Sequence, residues 1–394
     1  MGAQSRLRRY LFFCIEMKVL KFKEIDIKLP LGLLFGIVLL YQISPMEQGN
    51  KRFEDLALGM ENTATFGQAD ALAVHCSDLA DLGKCLLSYE RAGSRQPVLL
   101  WLGNSQVHAI NQIKPGEETA APELHRKFQV TSEYFLTLSQ PNASLQEHYL
   151  LFAYLLNRLP IKRLVLPVVF DDMREEGIRT SLIDAFKDQK TADSLRSSEF
   201  GQILIANNRD QDAAGNDMAA LQDTLQEHSE KALNSMLEEA WSVWAERPTL
   251  RGNFLSWLYL FRNSALGINP SSTRKMIPGR YAKNRNALLA ILELAALRQV
   301  KVLVYVVPLR NDGKIPYDSD EYASFKAEMA SLALQYDARF ADLENLVPAE
   351  LWGTKGATAI GGGQELDFMH FQAGGHRLLA KALYNELKAQ GSLQ

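Results

Sequence analysis

Two short polar segments, far apart in the chain, carry residues that could perform acyl-transfer chemistry. Ser105 lies just beyond the apolar run Val98–Leu102, and Asp367 stands three residues before His370 near the end of the chain. A serine hydroxyl is a weak nucleophile until a histidine takes its proton, and a carboxylate holds that histidine in the required tautomer. These residue types predict Ser105 as nucleophile, His370 as base and Asp367 as the group that orients His370.

A reacting carbonyl also needs hydrogen-bond donors for the oxyanion that forms on it. Gly103 permits a tight exit from the strand, and a helix beginning at Ser105 would offer free N–H groups. Asn142, in the loop after the apolar run Tyr134–Leu138, could supply a side-chain amide. Asn142 is equally typical of a turn or a helix start, so both interpretations stay open.

The elements that must position these residues alternate between strands and helices. Continuous apolar runs typical of buried parallel strands occur at Val98–Leu102, Tyr134–Leu138, Leu164–Phe170, Ile203–Ala206 and Val300–Val307. Helical patterns lie between them, as at Leu145–Asn157 and Asn284–Arg298. The alternation predicts an α/β fold, a three-layer parallel sheet with helices on both faces. Residues at the carboxyl ends of such strands lie where ligands bind.

Residues 210–265 break this alternation. They contain a long amphipathic helical pattern followed by the aromatic segment Phe254–Phe261. We interpret them as a helical insertion that covers the sheet or a cleft. The aromatic residues could also face a membrane or a partner, although aromatic residues at helical spacing more often belong to a core.

The two polar segments together resemble the SGNH (GDSL-like) hydrolase superfamily. There, a Gly-Asp-Ser or Gly-Asn-Ser motif carries the nucleophile, and Asp-x-x-His precedes the final helix. By this resemblance Ser105 is the nucleophile, His370 the base and Asp367 its orienting acid, while His376 opens the last helix. The resemblance spans about Pro97–Leu387 and implies an SGNH/flavodoxin-like fold and a serine-dependent esterase or acyltransferase that needs no cofactor.

The chain departs from the superfamily after the predicted strand Leu164–Phe170. The superfamily commonly has Gly-x-Asn-Asp there, and its asparagine donates to the oxyanion. Asp171 and Asp172 follow this strand here, and an aspartate donates a hydrogen bond only when it is protonated.

The N-terminal region resembles a membrane signal. Residues 1–28 are rich in Lys and Arg and precede the uncharged run Leu29–Ile43, which is shorter than the roughly 20 residues of a usual spanning helix. The basic flank predicts that residues 1–28 stay cytoplasmic and that residues 29–45 form a transmembrane anchor or uncleaved signal. A cleaved secretory signal is the alternative.

The remaining chain is expected on the exported side. Residues 46–95 are interpreted as a stalk or linker, and residues 96–394 as the SGNH-like domain. Cys76 and Cys85 could form a disulfide in an oxidising compartment, with two unpaired thiols as the alternative.

Charge and residue spacing exclude other function classes. The net charge of −3 gives no field that favours nucleic acid. The histidines lack the spacing of a metal site, and no G-x-G-x-x-G motif follows a strand. We therefore predict no metal and no nucleotide cofactor.

The sequence as a whole predicts an exported, membrane-anchored serine acyltransferase or esterase. Its expected substrate is a cell-envelope or exopolysaccharide glycan carrying O-acyl groups, with acetyl the expected group. The resemblance to alginate O-acetylation and teichoic-acid D-alanylation proteins implies an inner-membrane, periplasmic location and a multi-spanning membrane acyltransferase as partner. The alternative is a non-catalytic SGNH-like scaffold in an envelope-polysaccharide complex.

Overall fold

The computed structural model describes residues 61–93, 96–129, 131, 133–208, 257–269 and 271–391. The predicted anchor at 29–45 and most of the predicted insertion lie outside these ranges. Within them, no helix combines the length and the apolar content that crossing a membrane requires.

A six-stranded parallel sheet organises the described residues, in the order β10-β9-β8-β5-β7-β4. The strands are β1 Asn62–Ala64, β2 Gln68–Ala69, β3 Leu72–Ala73, β4 His75–Cys76, β5 Val98–Gly103, β6 Ala109–Asn111, β7 Tyr134–Ser139, β8 Ile161–Val168, β9 Lys301–Val306, β10 Arg339–Asp342, β11 Trp352–Lys355 and β12 Glu365–Phe371. Three small antiparallel pairs, β1 with β6, β2 with β3 and β11 with β12, lie outside the main sheet.

Helices cover both faces of the sheet. They are α1 Leu79–Arg91, α2 Ser105–His108, α3 Ala120–Phe128, α4 Leu145–Leu156, α5 Gln189–Leu195, α6 Pro278–Leu297, α7 Ser319–Gln335 and α8 Ala373–Ala389. Further helical stretches occupy 199–208 and 257–265, and short 3₁₀ turns occupy Asp172–Arg174, Thr180–Lys187 and Ala349–Leu351.

Two apolar clusters hold the helices to the sheet. One cluster joins α1, α4, α6 and α7 to side chains such as Leu102, Leu138 and Val168 on one face. The other joins α3 and α8 to the opposite face through residues such as Trp101 and Phe135. Burial on both faces is why these strands are continuously apolar in sequence, and it confirms the predicted three-layer arrangement.

The order of the strands places a ligand-binding position beside β5. From β5 the chain passes to β7 on one side and then returns past β5 to β8 on the other. In open α/β sheets ligands bind at the carboxyl ends of the strands where the order reverses in this way. Ser105 follows β5 directly at this point.

The segment 61–93 differs from the stalk expected over 46–95. β4 pairs with β7 in the main sheet, and α1 buries Leu82 and Tyr89 in the core. Strands of only two or three residues leave no periodic pattern, which is why this part of the domain resembled a linker. The apolar run Ile203–Ala206 is also not a strand, because it lies within the helical stretch 199–208.

Cys76 and Cys85 form the predicted disulfide, which joins β4 to α1. The two cysteines lie 9 residues apart, so the bond closes a small loop at the edge of the sheet.

We expect a variant with both Cys76→Ser and Cys85→Ser to lose about 2–3 kcal/mol of unfolding free energy, since a short closed loop removes that much chain entropy from the unfolded state. Urea denaturation of the full-length chain measures this loss, with Cys14→Ser as the matched control. An unchanged free energy of unfolding in the double variant would contradict the stabilising role.

Candidate active site

The structure brings Ser105, His370 and Asp367 together at the carboxyl edge of the sheet. The Ser105 Oγ lies 3.0 Å from His370 Nε2, and His370 Nδ1 lies 3.2 Å from Asp367 Oδ2. All three residues are at least nine-tenths buried. With Nδ1–H donating to the carboxylate, Nε2 is left as the acceptor for the serine proton. The arrangement can therefore activate Ser105 as a nucleophile.

Both oxygens of the Asp367 carboxylate accept hydrogen bonds, two at Oδ1 and three at Oδ2. The backbone N–H groups of Met369 and His370 donate to Oδ1, both at 2.9 Å. The Asn62 amide donates to Oδ2 at 2.6 Å, beside His370 Nδ1, and the Asn111 amide donates to the same oxygen at 3.5 Å. Burial by itself would raise the pKa of Asp367, but the His370 ring, the Asn62 amide and the Met369 N–H hold that pKa below its usual range. Asp367 is therefore the ionised member of the group.

A second asparagine holds Asn62 in place. The Asn111 amide donates to Asn62 Oδ1 at 2.9 Å and to the Thr354 carbonyl at 2.8 Å. Asn62 and Asn111 face each other in the β1–β6 pair. Neither asparagine was predicted from the sequence, because Asp367, to which both donate, is 305 positions from Asn62.

Ser105 occupies a tight turn from β5 into α2. A Cβ on Gly103 would lie 2.5 Å from the Val107 side chain, so this turn accepts only glycine without a shift. Asn104 caps α2 through its side-chain oxygen, which accepts from the Gln106 N–H at 3.0 Å. The α2 helix is a single four-residue turn.

Gln106 joins the nucleophile turn to the segment that carries His370. Its side-chain amide donates to the Pro308 carbonyl at 2.8 Å and to the Met369 carbonyl at 2.9 Å. The residue after Ser105 is thus bonded to the residue before His370, which fixes the spacing of the two reacting groups.

A further buried polar residue near Ser105 is Asp172, which lies in the 3₁₀ turn after β8. The Asn104 amide donates to Asp172 Oδ2 at 2.7 Å. Asp172 is 7% exposed. Burial raises the pKa of Asp172 well above its ordinary value, and the charges of Asp171, Glu175 and Glu147 raise it further. The hydrogen bond from Asn104 acts in the opposite direction and lowers this pKa.

Asn142 occupies an exposed turn with a positive φ of 49°. No hydrogen bond between described residues joins it to Ser105, His370 or Asp367. The conformation fits the turn interpretation of Asn142, and its role as a donor remains a prediction. Gln140, which sequence analysis did not single out, is 2% exposed, and its amide has no partner in the described ranges.

Two further histidines surround a second serine close to the site. Ser139 Oγ lies 2.6 Å from His75 Nε2 and 2.9 Å from His108 Nδ1, so the hydroxyl donates to one ring and accepts from the other. The Phe66 ring stacks on His108 with centroids 5.0 Å apart. No carboxylate bonds to either ring among the described residues, so this group lacks the acid that Ser105 and His370 have.

His376 has a structural role, as the sequence suggested. Its Nδ1 accepts from the Ala120 N–H at 3.3 Å and its Nε2 bonds to the Ala109 carbonyl at 3.0 Å. Within the described part of the chain, no group of three or more His, Cys, Asp or Glu side chains could hold a metal ion.

Comparisons with known proteins find no match in sequence and only distant likeness among solved structures. No protein-family model matches the chain, and no curated protein matches it. Among solved structures, a candidate acylhydrolase from Bacteroides fragilis is 10% identical, with a TM-score of 0.35 over 80% of this chain and 99% of that chain. A variant of an acetyl-xylooligosaccharide esterase from a Geobacillus species is 11% identical, with a TM-score of 0.33 over 75% of this chain and 95% of that one. Likeness at this level says nothing about activity, which must be argued from the site.

We expect Asn62→Ala to lower kcat/KM for an activated acetate ester about 10- to 100-fold, because a hydrogen bond to a charged group contributes about 1.5–3 kcal/mol. The loss should fall on kcat, since Asn62 acts through Asp367. Thr63→Ala, at an exposed neighbour in β1, is the matched control. Equal rates for the two variants would show that the Asn62 bond does not position Asp367.

We also expect the fold to lose stability on acidification. Burial lowers the pKa of His75 and of His148 to about 3 and that of His376 to about 4. In the unfolded chain these rings take up protons below about pH 6.5, whereas the folded chain keeps them neutral until far lower pH. Stability is therefore full above about pH 6.5 and falls by up to about 2 kcal/mol per histidine by about pH 5.

Urea midpoints at about pH 7.5 and pH 5 test this expectation. The His148→Leu variant should show a smaller difference between the two midpoints, because it lacks the contribution of one buried histidine. Neither ring nitrogen of His148 has a partner in the described ranges. Midpoints that coincide at the two pH values would contradict it.

Proposed function

We propose that the protein is a serine-dependent enzyme acting on acyl esters, either an ester hydrolase or an O-acyltransferase. One observation carries the proposal, the continuous hydrogen-bond chain Ser105–His370–Asp367 with contacts of 3.0 and 3.2 Å. This hydrogen-bond chain ends in a buried carboxylate that accepts from five donors, and it lies where this type of sheet binds ligands.

The geometry supports the following steps. Ser105 Oγ attacks the ester carbonyl while His370 Nε2 accepts its proton, and the Asp367 carboxylate stabilises the imidazolium that forms. The imidazolium then gives the proton to the leaving alcohol, which leaves an acyl group on Ser105. Water or a hydroxyl of an acceptor molecule resolves this acyl-enzyme with His370 again acting as base. The choice of acceptor alone separates hydrolysis from transfer.

The proposed substrate is an O-acylated glycan of the cell envelope or an exopolysaccharide, with acetyl as the acyl group. Support comes from the N-terminal sequence, whose basic flank and apolar run favour an exported domain on an inner-membrane anchor. The Cys76–Cys85 disulfide fits an oxidising compartment such as the periplasm. The resemblance to envelope-modifying proteins adds a multi-spanning membrane acyltransferase as the proposed partner.

A non-catalytic scaffold is the second candidate, and one observation favours it. The helical stretch 257–265 exposes Leu258, Tyr259 and Phe261, so part of the predicted aromatic insertion presents apolar surface. A scaffold that binds through this surface would not need an activated serine.

A fluorophosphonate probe added to the full-length chain in detergent distinguishes the two candidates. We expect covalent labelling of Ser105 that is absent in Ser105→Ala and slower by about 10⁴-fold or more in His370→Ala, because the serine then lacks its base.

Ser139→Ala is the matched control, because Ser139 also contacts histidine rings but in a group without a carboxylate. Labelling should stay on the Ser105 peptide in this variant. A folded wild-type chain that takes no label would favour the scaffold, whereas label on Ser139 would contradict the assignment of Ser105 as the nucleophile.

A further inference from the structure

The carboxyl ends of three adjacent strands carry buried polar residues beside Ser105. Leu102 of β5 and Leu138 of β7 belong to the same apolar cluster, so Asn104 and Gln140, two positions further on, continue that face of the sheet. The Gln140 N–H donates to the Gly103 carbonyl at 3.1 Å, which keeps the two strand ends together. On the other side of β5, the turn after β8 supplies Asp172.

Hydrogen bonding fixes the orientation of the amide that joins Asn104 to Asp172. Because the Asn104 oxygen accepts from the Gln106 N–H, its NH₂ group is the one that faces Asp172 Oδ2. Asp172 Oδ2 is therefore an acceptor, and a proton on this acid belongs on its other oxygen.

The charges around Asp172 favour its neutral form. Asp171 and Glu175 lie in its own turn, Glu147 lies on α4, and all three are acidic neighbours. The nearby cations are taken by other carboxylates, with Arg174 and Arg274 paired to Asp171 and Arg179 paired to Glu147. No described cation bonds to Asp172 itself, so burial favours a neutral carboxyl group there.

Contacts connect the turn that carries Asp172 to the residue before Ser105 and to the residue before His370. On one side Asp172 contacts Asn104, the residue before Ser105. On the other side Tyr317 donates to Asp171 Oδ2 at 3.1 Å and contacts Met369 Sδ at 3.8 Å, next to His370. Asp172 is thus held at the same edge as the Ser105–His370 pair.

We propose that Asp172 is a further catalytic residue, a neutral carboxylic acid whose O–H donates a hydrogen bond to the oxyanion formed when Ser105 attacks an ester. The inference rests on the proposed function and adds a donor to it. As the Ser105 Oγ–carbon bond forms, the carbonyl π pair moves to oxygen and the serine proton moves to His370 Nε2. Asp172 keeps its proton throughout and stabilises the new negative charge through the hydrogen bond. When the tetrahedral species collapses, the electron pair on the oxyanion re-forms the carbonyl bond and the bond from carbon to the leaving oxygen breaks. The leaving oxygen takes the proton from His370 and departs as the alcohol.

A neutral acid in this position makes the rate depend on pH in a specific way. Once Asp172 ionises, it can no longer donate, and its charge repels the oxyanion. The rate should therefore fall on the alkaline side as Asp172 loses its proton. An asparagine has the same shape and donates at every pH, so it should remove the fall.

The test measures kcat/KM for an activated acetate ester against pH, using the full-length chain in detergent. We expect Asp172→Asn to remain active near neutral pH and to lose the alkaline fall, whereas Asp172→Leu loses about 10²–10³-fold, the usual effect of removing one oxyanion donor. Asp171→Asn is the matched control and should retain an alkaline fall, moved to lower pH because one acidic neighbour of Asp172 is removed.

Two results would overturn the proposal. The first is an alkaline fall that persists in Asp172→Asn, and the second is an Asp172→Leu variant that keeps the wild-type rate. Circular dichroism and fluorophosphonate labelling of Ser105 in each variant separate loss of folding from loss of the donor. If the folded wild type shows no Ser105-dependent labelling or hydrolysis, the proposed function fails and the role of Asp172 fails with it.

Discussion

The buried carboxylate of Asp367 places the strongest constraint on the architecture of this site. An ionised carboxylate is costly to bury unless hydrogen bonds satisfy its oxygens, and here two backbone N–H groups, two amides and the His370 ring do so. The shorter amide bond comes from Asn62, so the fold has to bring its first described strand against its last one. The pairing of β1 with β6 and the hydrogen bond from Asn111 hold Asn62 in place for this contact. Asp367, fixed in this way, in turn positions the His370 ring.

The surroundings of two acids at one sheet edge shift their pKa values in opposite directions. Asp367 meets hydrogen-bond donors and a histidine, which favour its charge, whereas Asp172 meets a single amide and three acidic neighbours, which oppose it. When the pKa values of two carboxyl groups are shifted in opposite directions, the two groups can take different roles in catalysis. One carboxylate can orient a base while the other, as a neutral acid, can donate to an oxyanion.

The sequence predicted those parts of the protein that rest on strong local signals. Continuous apolar runs marked the central strands, the position after one of these runs marked Ser105, and their three-residue spacing marked Asp367 and His370. The contact of Asn62 with Asp367 could not be predicted, because β1 has only three residues and its partner is 305 positions away. The run Ile203–Ala206 was wrongly taken for a strand, because periodicity cannot distinguish a short apolar run in a strand from one in a buried helix. The neutral state of Asp172 depends on burial and neighbours that only the fold provides.

The most direct test of this account is to look for the acyl group on Ser105 itself. The full-length chain would be mixed with an activated acetate ester, quenched in acid within the first turnover and analysed by peptide mass spectrometry. The account predicts an acetyl group on the peptide containing Ser105, with none in Ser105→Ala and far less in His370→Ala. Ester cleavage without any acetyl group on that peptide, or with the group on another side chain, would contradict a nucleophilic Ser105.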